Sequence, residues 1–176
     1  MNILVINCGS STVKYQLLDV ATESIISTGI IETDTMAHGP AVQLILEENS
    51  NFQIDAVGHR VVHGGDSFHD AVEIDDSVIT RIEEWIPMAP LHNPANLAGI
   101  SAARRFLPRI PHVAVFDTAF HTTLPRRAYT YAIDPIIARK HHIRRYGFHG
   151  TSHQYVAQQA AIFLGQPLNE LKIITL

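Results

Sequence analysis

The sequence contains a single cysteine, Cys8, among its 176 residues. One thiol excludes an internal disulfide framework and fits a reducing compartment such as the cytoplasm. No apolar run approaches the roughly 20 residues that a membrane-spanning helix needs. The first residues also lack the basic region and cleavage pattern of a signal peptide. We therefore expect a cytoplasmic protein with no membrane partner.

Charged residues are scarce as well, at 17% of the chain. The net charge of −4 lacks the basic excess that nucleic-acid-binding proteins usually carry, so we expect no nucleic-acid partner. Hydrophobic residues make up 46%, which argues against intrinsic disorder and fits an ordinary globular domain. Histidine, in contrast, is abundant, with eleven copies. Metal binding, proton transfer and core packing could each account for that number.

The hydrophobic pattern predicts an α/β domain that begins with three antiparallel strands. Ile3–Ile6 is a continuous apolar run, typical of a strand buried on both faces. Strand-forming segments at 12–20 and 24–31 follow after short turns. Further along we expect strands at 54–62, 112–116 and 171–176. We expect helices at 41–48 and 78–86, and a third from the Asn93–Pro94 cap to about 107. Two more helices should begin at Pro135 and at Thr151 or Ser152, the last of them ending at Gly165.

A turn rich in small residues, Asn7–Lys14, follows the first predicted strand. Its backbone N–H groups, its hydroxyls at Ser10, Ser11 and Thr12, and the ammonium of Lys14 all favour phosphate oxygens. Asn7 could hold a magnesium ion, directly or through water. The segment is not a P-loop, because its lysine does not open a helix. A polar hairpin without ligand is the alternative.

Two charged side chains stand at the ends of apolar strands. Arg60 lies within Val57–Gly65, and an arginine between buried neighbours usually meets an anion. That anion is either a substrate carboxylate or phosphate, or an acidic residue of the chain. Asp117 follows the strand at 112–116, where ligands of open α/β sheets gather. It could take a proton, bind a cation or orient an electrophile, and a turn or cap role is the alternative.

Two loops complete the candidate site. Pro87–Pro94 contains three prolines, which would present Leu91 and His92 rigidly, although this segment taken alone favours a stiff connector. In Gly147–His153, His149 could stabilise charge in a transition state while Phe148 supplies an apolar wall. His149 and His153 are four residues apart, but no glutamate lies between them and Gly150 interrupts the helix. The metalloprotease signature is therefore not met.

Taken as an ordered set, these stretches resemble the acetate kinase family, within the wider acetate and propionate kinase group. The resemblance extends from Met1 to Leu176, and Thr12 replaces the third of three serines that family members usually carry. It implies a ribonuclease-H-like fold of the actin and sugar-kinase superfamily. It also implies reversible phosphoryl transfer between ATP and acetate, giving ADP and acetyl phosphate, with Mg²⁺ or Mn²⁺.

The resemblance further implies a role for each candidate residue. Asn7 is the metal-associated position, and Lys14 contacts the nucleotide phosphates together with the turn of Ser10, Ser11 and Thr12. Arg60 holds the carboxylate, Asp117 is the active-site acid/base position and His149 stabilises the transferring phosphoryl group. The apolar pocket for the acetate methyl group is formed by Val62, Leu91 and Phe148, with His92 beside it.

Family members continue into a second domain that supplies further nucleotide contacts and most of a homodimer contact. Residues 1–176 are therefore expected to be the N-terminal domain alone, with the C-terminal nucleotide-binding domain absent and little activity on their own. The predicted strand at 171–176 is either a docked edge strand or the point where the chain is cut at a domain boundary. Three alternatives remain: a propionate or butyrate kinase, a non-catalytic module that binds small carboxylates, and a metal-dependent hydrolase.

Overall fold

The computed structural model describes residues 1–33 and 38–176. Their central element is one mixed β-sheet. Six strands of these ranges form it, in the spatial order β3–β2–β1–β4–β6–β5. The strands are β1 (Asn2–Cys8), β2 (Thr12–Asp19), β3 (Ser24–Glu32), β4 (Ala56–Val61), β5 (Val72–Glu73) and β6 (His112–Phe116). The predicted strands over 54–62 and 112–116 are confirmed, the first of them slightly shortened.

The direction of the strands divides the sheet into two parts. β1, β2 and β3 form an antiparallel meander, as the sequence predicts, whereas β1, β4 and β6 run parallel to one another. The short β5 adds an antiparallel edge next to β6. Because parallel strands end at the same edge of a sheet, the residues that close β1, β4 and β6 lie side by side.

Six α-helices are found in the described ranges, connected by three short 3₁₀ turns. The helices are α1 (His38–Glu48), α2 (Asp76–Glu84), α3 (Asn93–Phe106), α4 (Arg126–Tyr129), α5 (Pro135–Lys140) and α6 (Gly150–Leu164). The turns lie at Ile86–Met88, Ala119–Thr123 and Leu168–Glu170. In the part of the chain that the structure describes, none of these helices is both long and apolar enough to cross a membrane.

The core lies on one face of the sheet. Leu4 and Ile6 of β1 are completely buried there, while Ile3 and Val5 on the opposite face are only partly covered. The expectation that β1 is buried on both faces is therefore wrong. Helix α3 joins two hydrophobic clusters. Its Ala103 packs with the residues of β1, β2 and α1, and its Ile100 with those of α2, β4 and β6.

Two helix starts differ from the prediction because tertiary contacts override the local capping preference. Asn93 does not cap α3; that position is taken by His92, and the Asn93 side chain bonds to another segment. Helix α6 begins at Gly150, and its cap is His149 in a left-handed conformation rather than Thr151 or Ser152. The predicted stop at Gly165, with φ of 61°, is confirmed.

The last part of the chain also departs from the expected pattern. Residues 171–176 do not pair with any strand of the described ranges, so the predicted strand there is wrong. The hydrophobic residues of α6 do not form a core-facing stripe either. Val156 is exposed and Phe163 is 90% exposed, whereas Ala161 is buried. Helix α6 thus presents an apolar surface that the described residues leave uncovered.

Candidate active site

Four polar side chains lie in a row across four neighbouring strands at one edge of the sheet. Lys14 of β2 is the direct cross-strand partner of Asn7 in β1, so both point to the same face. The register of β1 with β4 pairs Ile6 with His59, which brings Arg60 level with Asn7. Asp117 follows β6 and its backbone N–H donates to the carbonyl of Val61 at 3.0 Å. The fold therefore brings four of the candidates together.

Arg60 and Asp117 form a bidentate ion pair at the centre of this row. The Arg60 Nε donates to Asp117 Oδ1 at 2.9 Å, and Nη2 donates to Oδ2 at 2.6 Å. Nη1 donates to Asn7 Oδ1 at 3.3 Å. These bonds with Asp117 raise the pKa of the Arg60 guanidinium above its usual value. Arginine thus meets an internal carboxylate, one of the two partners that its sequence context allows.

The exposure of the two partners is unequal. The Asp117 side chain is 1% exposed, whereas that of Arg60 is 35% exposed. A guanidinium has five N–H donors, and three are used, which leaves one on each terminal nitrogen. Arg60 can therefore bind a further anion from the solvent side, while its two hydrogen bonds with Asp117 fix the orientation of the guanidinium plane.

His149 is a second side chain near the same carboxylate. Its Nδ1 lies 3.7 Å from Asp117 Oδ2, and its side chain is 71% exposed. The residue has a φ of 55°, in the left-handed region that residues other than glycine rarely adopt. It stands immediately before α6, where the helix dipole and free N–H groups favour an anion.

The turn between β1 and β2 lies beyond Asn7. It is closed by a hydrogen bond from the Gly9 N–H to the Thr12 carbonyl at 2.7 Å, and a ring nitrogen of His38 lies 2.8 Å from the Gly9 carbonyl. Ser10 and Ser11 are exposed in this turn. Their hydroxyls are thus open to solvent at the carboxyl end of β1, next to Asn7.

The residues expected to form an apolar pocket are connected through His63, a buried residue that the sequence did not single out. Phe148 packs edge-on against the His63 ring with centroids 5.6 Å apart, and Val62 is its neighbour in the chain. Leu91 and His92 precede Asn93, whose amide bonds to both backbone groups of His63. Leu91 itself is 72% exposed, so the described residues leave this pocket open.

Buried polar residues hold the ends of the strands in place, and the sequence predicts none of them as site residues. Asn96 of α3 accepts from the Val62 N–H at 3.0 Å and donates to the Cys8 carbonyl at 2.7 Å. Thr118 accepts from the Gly64 N–H at 3.1 Å. The spacing of Asn93 and Asn96, one helical turn apart among apolar neighbours, is the signal that could have identified them.

Side chains suited to a transition-metal site are not assembled here. Within residues 1–33 and 38–176, no group of three or more His, Cys, Asp or Glu side chains is placed to hold a metal ion. His153 is turned away from His149, with Nδ1 2.8 Å from the Thr175 hydroxyl. The amide oxygen of Asn7 does suit magnesium, which is commonly held by one or two protein oxygens together with water and substrate phosphates, whereas both oxygens of Asp117 are already engaged by Arg60.

Known protein structures share this fold. A crystal structure of acetate kinase from Porphyromonas gingivalis matches 95% of the chain with a TM-score of 0.85 and 42% identity, and the chain covers 50% of it. A propionate kinase structure from Francisella tularensis matches 94% at a TM-score of 0.84 and 39% identity, over 49% of that protein. The molecule is thus an α/β protein of the ribonuclease-H-like class to which these kinases belong, and the predicted fold class is confirmed.

The family follows from the sequence comparison. The acetokinase family model matches residues 31–176, and the chain belongs to this family. It is 48% identical to the acetate kinase of Caldanaerobacter subterraneus over 206 aligned positions, which include 99% of the chain and 51% of the relative. The chain therefore spans about half the length of the curated relatives it matches. The alignment is longer than the chain, so the relative carries segments within this region that the chain lacks.

Proposed function

We propose that the chain supplies the carboxylate- and phosphoryl-binding half of an acetate kinase. The reaction is the reversible transfer of a phosphoryl group from ATP to acetate, giving ADP and acetyl phosphate. The observation that carries this proposal is the row of Lys14, Asn7, Arg60 and Asp117 on one sheet face, with His149 beside Asp117, in a chain of the acetokinase family. Phosphoryl transfer depends mainly on alignment and charge neutralisation, which these groups can provide.

Arg60 binds the acetate carboxylate through the N–H groups that Asp117 and Asn7 leave free. Acetate resembles a glutamate side chain, with a pKa of about 4.3, and is ionised at neutral pH. A base is therefore not required to make it a nucleophile. Both oxygens of Asp117 already accept from Arg60, which supports a role for Asp117 in orienting Arg60 rather than in removing a proton.

The phosphoryl group is stabilised from two sides. Arg60 and His149 both lie near Asp117 Oδ2, at 2.6 and 3.7 Å, and their partly exposed side chains can offset charge on the equatorial oxygens in the transition state. Lys14 and the hydroxyls of Ser10, Ser11 and Thr12 bind the donor phosphates. Magnesium, when bound, would be held by Asn7, directly or through water, and would neutralise charge on the nucleotide phosphates.

The apolar side chains Val62, Leu91 and Phe148 are expected to favour acetate over longer carboxylates. Phe148 packs against the His63 ring, and Val62 precedes His63 in the chain. Leu91 lies in the loop before α3, which Asn93 ties to the His63 backbone. Each added methylene changes binding by about 1–3 kcal/mol in such a pocket, so propionate should be a weaker but measurable substrate. Better turnover of propionate or butyrate than of acetate would make the protein a kinase for the longer acid.

The domain assignment belongs to the same proposal. Residues 1–176 form the N-terminal domain, and a second domain, as long as the unmatched half of the relatives, completes the nucleotide site. The uncovered apolar surface of α6, including Ile162 and Phe163, supports a contact of this kind. We further propose that the complete enzyme is a cytoplasmic homodimer, and that these 176 residues alone turn over little or no substrate.

A hydroxamate assay of acetyl phosphate formation tests the function in the complete gene product that carries these residues. We expect Arg60→Ala to lower kcat/KM by about 10²- to 10³-fold, the usual loss for one transition-state donor. Arg104→Ala is the matched control, because Arg104 forms an ion pair with Asp76 on the surface, away from the site. An unaltered kcat/KM in Arg60→Ala, or rapid turnover by the 176-residue chain alone, would contradict the proposal.

A further inference from the structure

The turn that carries His149 is held by the segment that follows β6. The N–H of Gly150 donates to the carbonyl of Asp117 at 2.9 Å. A Cβ atom at Gly150 would lie only 2.5 Å from that carbonyl oxygen, so the two backbones are in direct contact. The position of His149 relative to Asp117 thus depends on how these two segments pack.

His121 makes the second contact between the same segments. Its Nε2 lies 2.9 Å from the carbonyl oxygen of Phe148. A carbonyl can only accept, so Nε2 carries the proton and donates. The His121 ring also lies against Gly147, where a Cβ atom would come within 2.3 Å of the ring carbon Cγ. A histidine ring and a glycine backbone therefore fit together directly before Phe148 and His149.

The hydrogen bond from His121 bears directly on the conformation of His149. The Phe148 carbonyl and the His149 N–H belong to one planar peptide unit. A hydrogen bond that holds the carbonyl therefore fixes the orientation of this plane, from which the φ of His149 is measured. That φ is 55°, which costs a residue other than glycine about 1–2 kcal/mol. Such a conformation persists only when the surrounding structure enforces it.

We propose that His121 is a positioning residue that holds the Phe148–His149 peptide plane, and thereby places His149 over Asp117 for phosphoryl transfer. The inference rests on the proposed kinase function and extends it to a residue outside the row of site side chains. His121 acts through the backbone of Phe148 and does not touch the substrate. Its essential feature is the N–H donor at Nε2.

Ring packing is the competing explanation for a histidine at this position. The His121 ring also meets Phe120 and His153 edge-on, with centroids 5.4 and 5.9 Å away. Two substitutions separate the roles. His121→Phe keeps an aromatic ring and removes the donor, whereas His121→Gln keeps an N–H donor at a similar reach and removes the ring.

Kinetics of the complete gene product provide the first test. We expect His121→Phe to lower kcat at least tenfold and His121→Gln to stay within threefold of the parent, with the KM for ATP unchanged in both. His69→Phe, at an exposed loop position, is the matched control and should behave like the parent. A normal kcat in His121→Phe, or an equal loss in both variants, would overturn the proposal.

A second measurement does not depend on turnover, so that a failure of the kinase assignment can be told apart from a failure of this inference. In protein labelled with ¹⁵N-histidine, long-range ¹H–¹⁵N spectra distinguish the two neutral tautomers. We expect His121 in the Nε2–H form at pH 8. Finding the Nδ1–H form would overturn the inference whatever the enzyme's activity.

Discussion

At the scale of single residues, the Arg60–Asp117 pair should respond differently to the loss of each partner. Removing Arg60 leaves a carboxylate that is almost completely buried, whereas removing the Asp117 charge leaves a guanidinium that already reaches solvent. An unpaired buried charge is strongly destabilising, whereas a charge with access to water is not.

We therefore expect Arg60→Ala to lower the free energy of unfolding by about 3 kcal/mol, the low end for breaking a buried pair. Asp117→Asn should cost about 1 kcal/mol, as for an ordinary hydrogen bond. Urea unfolding of the two variants and of the double variant measures this difference. An equal loss of unfolding free energy in the two single variants would show that the exposure of the partners does not determine the loss. The same conclusion would follow if adding Asp117→Asn to Arg60→Ala restored no stability.

Sequence patterns could identify both members of this pair but not their contact. Each is a charge at the end of a short apolar strand, where charges are unusual, and that local feature is visible in the sequence. Which anion Arg60 meets depends on how β4 and β6 pair, and these strands are more than 50 residues apart in the sequence. His63 was missed for a similar reason, because its role comes from aromatic neighbours distant in sequence.

At the scale of elements, the asparagines of α3 stabilise the edge of the sheet at which β1, β4 and β6 end. Asn96→Ala would leave the Val62 N–H and the Cys8 carbonyl without their partners. Each unsatisfied buried group costs about 1–3 kcal/mol, so we expect a loss of about 2–4 kcal/mol in urea unfolding. Asn51→Ala, at an exposed loop position, is the control and should change stability by less than about 0.5 kcal/mol.

The pairing of β4 with β6 includes two buried histidines. The His112 Nε2 donates to the Leu107 carbonyl, so its Nδ1 must accept from the His59 Nε2, 3.1 Å away. Burial, with a smaller effect of His112, lowers the pKa of His59 from 6.5 to about 3. Burial lowers the pKa of His112 as well. Both rings are therefore neutral in the folded protein at neutral pH.

This pair makes stability depend on pH. Between pH 6.5 and 3 the unfolded chain binds protons that folded His59 does not, so stability falls as the pH is lowered through this range. His59 alone should make the protein about 2 kcal/mol less stable at pH 5 than at pH 7. The double variant His59→Phe/His112→Phe should show a smaller difference in urea unfolding at the two pH values. The same difference as in the parent would exclude these histidines as its source.

Local patterns predicted the elements whose boundaries are set by nearby residues. The β1–β3 meander and the stop of α6 at Gly165 belong to this group. The start of α6 does not, because a left-handed His149 is enforced by contacts with the segment after β6 rather than by its own preference. Asn93 likewise has the sequence context of a helix cap, but its side chain forms hydrogen bonds with the backbone N–H and carbonyl of His63 instead.

At the scale of the whole molecule, α6 and the segment at 171–176 show where sequence periodicity is insufficient. Both are apolar enough to suggest burial, yet Phe163 and Ile174 are largely exposed in the described residues. A hydrophobic pattern predicts that a surface is a contact site, but it does not identify the segment or the domain that makes the contact. The second domain that we propose would cover both segments, and the curated relatives are about twice as long as this chain.

The packing of α3 against β1 gives the molecule an internal reporter of unfolding. Cys8 is buried, and burial raises the pKa of its thiol to about 12. Helix α3 presses Gly99 against it, since a Cβ atom there would lie 2.2 Å from the Cys8 Sγ. As the thiolate is the reactive form, a thiol reagent can label the chain only when this contact opens.

We expect labelling at pH 8 to be slow in buffer and to reach one thiol per chain in urea, followed by absorbance of a disulfide reagent. Gly99→Ala should accelerate labelling, because the added methyl group has no space beside the thiol. Fast labelling of the parent without urea would show that the contact is open in the native state. Since the chain has one cysteine, a reaction rate at a single atom would measure how often the centre of the domain becomes accessible to solvent.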